Sequence, residues 1–131
     1  MRRAAAIAAP GHQAALCAFR EGATEYDILN AFLQGCGQTE AEMPYGVIVA
    51  LNEHGATLHY QHRDRAPRQP RDLHSLLIDA GCAFNGYACD ITRTYASRQD
   101  DFAAMVADLG ALQAELCGAV RPGTPFADLH R

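Results

Sequence analysis

Apolar residues recur at helical spacing near both ends of the chain and at strand spacing between them. Residues 2–20 are predicted as a helix, with Ile7, Leu16 and Phe19 set among alanines, the strongest helix formers. Pro10 is predicted to kink this helix or to mark its first turn. Gly22 ends it. Thr24 then caps a second helix, with Asp27 placed three residues on, close to a capping box. Ile28, Leu29, Phe32 and Leu33 form its apolar stripe, and Gly35-Cys36-Gly37 stops it. Residues 45–51 are predicted as a strand apolar on both faces and therefore buried. A turn at 52–55, a short strand at 56–60 and a charged loop at 61–72 containing two prolines follow. A strand at 75–78 runs into Asp79-Ala80-Gly81, Asn85-Gly86 is a strong hairpin signal, and 89–95 returns as the second strand. Asp100 or Asp101 caps a helix over 101–119, striped by Phe102, Met105, Val106, Leu109, Leu112 and Leu116. Arg121-Pro122-Gly123 ends it and Thr124-Pro125 opens another helix.

Composition narrows the class. A chain of 131 residues is one domain at most, and 49% hydrophobic with 20% charged residues is a globular balance. The cationic residues are scattered arginines and the net charge is -4, so no basic stripe points to nucleic acid. No uninterrupted apolar run approaches the roughly 20 residues of a membrane helix, so no membrane partner is expected. Ala4 to Ala9 is too short and weak for the core of a signal peptide. Five cysteines, an odd number without CxxC spacing, read as free thiols, and the expected location is cytoplasmic.

The two ends of the chain resemble each other. Gly22-Ala23-Thr24-Glu25-Tyr26-Asp27-Ile28 aligns with Gly123-Thr124-Pro125-Phe126-Ala127-Asp128-Leu129. The helices before them share Ala14/Ala114, Leu16/Leu116 and Cys17/Cys117 after a one-residue shift. Either all helix-Gly-helix corners look alike, or the fold is duplicated with a period near 100 residues. In the second case residues 1–100 form a first repeat and 101–131 begin a second one.

Asp79 and Asp90 carry the sharpest chemical signal. A two-residue turn at Asn85-Gly86 pairs Asp79 with Thr92 and sets Asp90 on the diagonal. A turn centred on Phe84-Asn85 pairs the two aspartates directly. Both arrangements put the carboxylates on one face, about 5 to 8 Å apart. Their neighbours are apolar or small, and two like charges there call for a cation between them. A hard divalent metal suits such ligands. In the plainer alternative one Asp caps a turn and the other pairs with Arg93. His59, a lone histidine on the short strand, reads as a hydrogen-bonded structural residue. Glu53-His54 is not part of an HExxH motif, so no zincin signal arises. His62, Glu40 and Glu42 read as solvated loop residues.

The stretch LLIDAGCAFNGYACDITRTY (76–95) resembles the first metal-binding hairpin of the pita-bread metallopeptidases. These include Xaa-Pro dipeptidases (prolidases), Xaa-Pro aminopeptidases, creatinase-like enzymes and methionine aminopeptidases. The pattern is D-x-G, then N-G-Y, then D-I-T-R-T, with Asp90 eleven positions after Asp79. PYGVIVALNEHGATLHY (44–60) and GHQAALCAFREGATEYDI (11–28) are similar to the bacterial Xaa-Pro dipeptidase branch. The resemblance implies an α/β (α+β) pita-bread fold, of which this chain is the first pseudo-symmetric half. It implies that Asp79 ligates one metal and Asp90 bridges two, with Mn²⁺ usual in this branch. Thr92 would support them and His59 would contact substrate or the tetrahedral intermediate. A metal-held hydroxide would attack the carbonyl before proline in an Xaa-Pro dipeptide.

The family also draws one His and two Glu ligands from its second half, and this chain ends before them. A fragment is therefore expected, with weak or no metal binding and no measurable turnover by itself. The alternatives are a fragment of an Xaa-Pro aminopeptidase, or a non-catalytic truncated product or half that pairs with another chain. Half of a duplicated sheet leaves an apolar face uncovered, so self-association as a homodimer is expected.

Overall fold

The computed structural model describes residues 1–130, so Arg131, the last residue of the expected second repeat, lies outside the described part. The chain divides into two compact units, Met1–Ser97 and a second that begins at Arg98.

The first unit is a helical pair on a small sheet. Helix α1 runs Arg2–Arg20 and buries Ala4, Ala8, Gly11, His12, Ala15 and Phe19, which recur every three or four residues. Pro10 sits inside it, so of the two sequence alternatives it does not mark the first turn. Helix α2 runs Glu25–Cys36. The Thr24 hydroxyl accepts the Asp27 backbone N–H at 3.2 Å, and Gly37 closes the helix in the left-handed conformation. The two helices approach closely because glycines face each other's backbone. A Cβ on Gly35 would lie 2.8 Å from the Pro10 carbonyl oxygen, and one on Gly11 would lie 2.8 Å from that of Phe32.

The sheet contains β1 (Ile48–Leu51), β2 (Ser75–Asp79) and a third strand at Thr92–Ala96, paired antiparallel in the order given. Between β2 and that strand lies a hairpin of two short strands, β3 (Ala83–Phe84) and β4 (Tyr87–Ala88), which makes Thr92–Ala96 β5. Leu76 and Ile78 of β2 point into the core with Ala80 and Cys82 beyond them, against Phe19, Ile28, Leu29 and Phe32 of the helices. Asp79 alternates to the other face.

Three sequence expectations need correction. The first strand begins at Ile48 and not at 45, because Tyr45 turns away to join the site described below. Residues 56–60 are not a strand. Asn52–Ala56 form a 3₁₀ turn, and Asn52 and His59 adopt left-handed φ of 52° and 53°. Glu25 is the physical reason. It is fully buried at the first turn of α2, and its carboxylate accepts Leu51 N–H, Asp64 N–H and the Tyr60 hydroxyl, each at 2.8 Å. His54 Nδ1 lies 2.7 Å from the same group. These bonds curl the segment around one side chain and leave no ladder to form. Finally, the return strand is broken at Cys89–Ile91 between β4 and β5.

The second unit holds α3 (Asp101–Ala119), capped by the Asp100 carboxylate, which accepts Ala103 N–H at 3.1 Å, and a short 3₁₀ helix over Phe126–His130. By length and composition α3 is apolar enough to cross a membrane, although acidic residues interrupt its apolar run. Asp108 and Glu115 lie within it one heptad apart, and lipid would have to bury both. A domain helix whose apolar face is uncovered has the same composition.

Candidate metal centre

The hairpin sets the site. Asp79 pairs with Thr92, and Ala83 pairs with Ala88 across an Asn85-Gly86 turn whose φ angles are 49° and 79°. Two positive φ values in a two-residue loop define the tight turn that matches strand twist. This is the first of the two registers open from the sequence, and it carries through the break unchanged. Ala80 N–H donates to Ile91 O at 3.1 Å, and Cys89 N–H donates to Cys82 O at 3.0 Å. Gly81 makes the break possible. A Cβ there would overlap the Cys89 carbonyl oxygen, so only glycine admits the crossing backbone.

Asp79 and Asp90 converge on one atom. The Tyr45 hydroxyl oxygen lies 2.8 Å from Asp79 Oδ1 and 3.1 Å from Asp90 Oδ1. A phenol has one proton and donates to one carboxylate at a time. Partial burial, then the bonds and charges of the two aspartates, push the Tyr45 pKa far above its ordinary value, so the group stays a donor. Arg93 donates to the Thr92 carbonyl and not to Asp90, so the plainer ion-pair alternative is not formed. Among the described residues no cation pairs with either aspartate.

His12 supports the site from the helical side. Its Nε2 lies 3.0 Å from the Ala80 carbonyl oxygen, next to Asp79. Burial is the main cause that lowers its pKa, so the ring is neutral and Nε2–H donates to Ala80. Its ring also meets Phe32 edge-on. Thr92 stands opposite Asp79 in the ladder. His59 lies on an exposed turn, and no contact joins it to the aspartates among the described residues.

Sequence reasoning passed over Tyr45, His12 and Glu25. Tyr45 was absorbed in an apolar strand, and its position at the polar end of that run was the available signal. His12 falls on the buried alanine stripe of α1, a place where an imidazole calls for a partner. Nothing local distinguishes Glu25 from any acidic residue in a first helical turn.

Two converging carboxylates with one shared proton form an oxygen donor set for a hard divalent cation. It is a partial set: no cluster of three or more His, Cys, Asp or Glu able to hold a metal occurs among the described residues.

Known proteins are similar to this chain over nearly its whole length. An Xaa-Pro dipeptidase of Stenotrophomonas maltophilia (strain R551-3) is 53% identical over 131 residues, and one of Edwardsiella ictaluri (strain 93-146) is 51% identical. The alignments take in 99% of this chain and 29% of each relative, so the chain spans under a third of their length. Among solved structures, zinc-substituted Escherichia coli aminopeptidase P in complex with product superposes with a TM-score of 0.77 at 29% identity. That superposition covers 98% of this chain and 30% of the other, and it extends the pita-bread fold to these residues. An aminopeptidase of Pseudomonas aeruginosa gives a TM-score of 0.62 at 31% identity, over 88% of this chain and 26% of its own. Residues 1–131 match the metallopeptidase family M24 throughout, a family whose name implies metal-dependent peptide hydrolysis, and the chain belongs to that family.

Proposed function

We propose that this chain supplies the aspartate half of the metal centre of an Xaa-Pro dipeptidase, acting on dipeptides with C-terminal proline. The observation that carries the reading is the convergence of Asp79 and Asp90 on the single oxygen of Tyr45. The dipeptidase reading is favoured over aminopeptidase P because relatives named Xaa-Pro dipeptidase are 46–53% identical, against 29–31% for the aminopeptidases. Asp79 would ligate one divalent cation and Asp90 would bridge two, with Mn²⁺ as the proposed metal. When bound, divalent cations supply Lewis-acid polarisation and a water made nucleophilic at neutral pH. Asp79 and Asp90 provide the negative charge that holds them. Tyr45 keeps both carboxylates aimed at one point, and Thr92 flanks Asp79 on the same face. His12 anchors the Ala80 carbonyl, which limits movement of Asp79 along the strand. His59, on an exposed turn, would meet the substrate. The remaining ligands would come from residues outside this span, in the same chain or another. Unpaired thiols support a cytoplasmic location, and the uncovered apolar side chains of the second unit support self-association.

The test is titration of Mn²⁺ into the purified chain, followed by assay with an Xaa-Pro dipeptide. Expected are weak binding, roughly millimolar as for sites with few charged ligands, its loss in Asp90→Ala, and no turnover. Equal binding by chain and variant would overturn the assignment of the metal site. Mn²⁺-dependent turnover lost in Asp90→Ala would show that the chain completes its own site.

A further inference from the structure

The metal centre uses none of the cysteines, yet three of them meet beneath it. Cys82 follows β2 and is completely buried. Cys89 follows β4 and Cys36 ends α2, and both are half-buried. The register that pairs Ala83 with Ala88 sets Cys82 directly opposite Cys89. Opposed residues of an antiparallel pair have Cα atoms about 4.5–5.5 Å apart, within the range that a disulfide spans. The Cys89 sulfur already leans towards its neighbour, accepting Cys82 N–H at 3.2 Å. From the helical side Cys36 lies near enough to act on the Cys82 thiol, while its own S–H donates to the Leu33 carbonyl at 3.3 Å. One sulfur is therefore flanked by two others. The remaining cysteines, Cys17 and Cys117, are exposed on α1 and α3.

We propose that Cys36, Cys82 and Cys89 form a peroxide-reactive thiol site that closes to a disulfide containing Cys82. The sulfur of Cys36 or Cys89, reachable from solvent, attacks one oxygen of hydrogen peroxide. The O–O bond breaks, water leaves, and a sulfenic acid forms. The Cys82 sulfur then attacks that sulfenic sulfur, the S–O bond breaks, and a second water leaves as the S–S bond forms. Two thiols lose two hydrogens and two electrons, and the peroxide is reduced to two waters. Burial pushes the Cys82 thiol up to about 12, so it does not meet the oxidant first, and it attacks the sulfenic sulfur only as its proton passes to the departing hydroxyl, which leaves as water. Its place is the resolving one. Asp90 directly follows Cys89, so a bond drawn to Cys89 re-aims the Asp90 backbone. That consequence rests on the metal reading, and the thiol chemistry does not.

The experiment uses the whole chain carrying Cys17→Ser and Cys117→Ser, which removes the exposed thiols that would link molecules. It is treated with hydrogen peroxide, its thiols are counted, and non-reduced peptides are mapped by mass. Expected is loss of two of the three remaining thiols, one intramolecular disulfide containing Cys82, and full recovery with dithiothreitol. Cys82→Ala in the same background should form no intramolecular disulfide. Unreactive thiols, a bond joining Cys36 to Cys89, or links only between chains would each overturn the proposal. The peptide map of the Cys82-containing chain decides this even where Cys82→Ala fails to fold. Altered Mn²⁺ binding is not scored, so failure of the metal reading leaves this test intact.

Discussion

One proton serves two carboxylates at Tyr45, and the site's chemistry turns on that shortage. The phenol offsets part of the repulsion between Asp79 and Asp90 when no cation is bound. A cation would do the same work more strongly. Tyr45→Phe is therefore expected to destabilise the metal-free chain by about 1.5–3 kcal/mol, the scale of a hydrogen bond to a charged group. Millimolar Mn²⁺ should narrow that difference. Urea unfolding with and without the metal measures both, and an identical difference under the two conditions would show that phenol and cation do not share a role. Glu25 shows the opposite balance, a buried carboxylate surrounded by donors from Leu51, Tyr60 and Asp64. Its partner Tyr60 is pushed up to about 12 by burial and by that carboxylate, so it remains a donor across neutral pH.

At the scale of elements, close backbone approach decides geometry in two places. Gly11 and Gly35 let α1 and α2 touch, and Gly81 lets the hairpin pass Cys89. The Tyr45 ring packs at the same point, 3.3 Å from where a Gly81 Cβ would stand. Gly81→Ala should thus disturb the fold and the aspartate geometry together, with a loss of at least about 2 kcal/mol, as for overpacked cores. Gly110 in α3 has open space around it, and Gly110→Ala should raise stability by about 0.5–1 kcal/mol through helix propensity. Thermal unfolding followed by circular dichroism compares the two. Equal melting of Gly81→Ala and the parent chain would show that the hairpin can relax around a methyl group.

At the scale of the whole molecule, the apolar stripe of α3 remains in solvent. Met105 is 58% exposed, Leu109 66% and Leu112 49%, values foreign to a settled core. Contiguous apolar surface of this kind favours association. Light scattering of the purified chain should give a mass above the 14.2 kDa of one copy, and Leu109→Glu should lower it. A monodisperse monomer would show that this stripe does not drive assembly.

The structure chose the register that pairs Asp79 with Thr92, while the sequence by itself determined the helices, the Thr24 cap and the hairpin that sets Asp79 and Asp90 on one face. Those features rest on interactions between residues near in the chain: propensity, capping and the constant offset of a hairpin. The D-x-G and D-I-T-R-T motifs also made the family legible. Only the tertiary structure decided the rest. Tyr45 reaches Asp79 across 34 positions, His12 reaches Ala80 across 68, and Glu25 gathers a segment 26 to 39 residues away. No periodicity records such pairs, because each depends on where a folded layer carries a side chain and on the cost of leaving a buried polar group without a partner. That cost is why residues 56–60 curl around Glu25 although their own preference is for a strand.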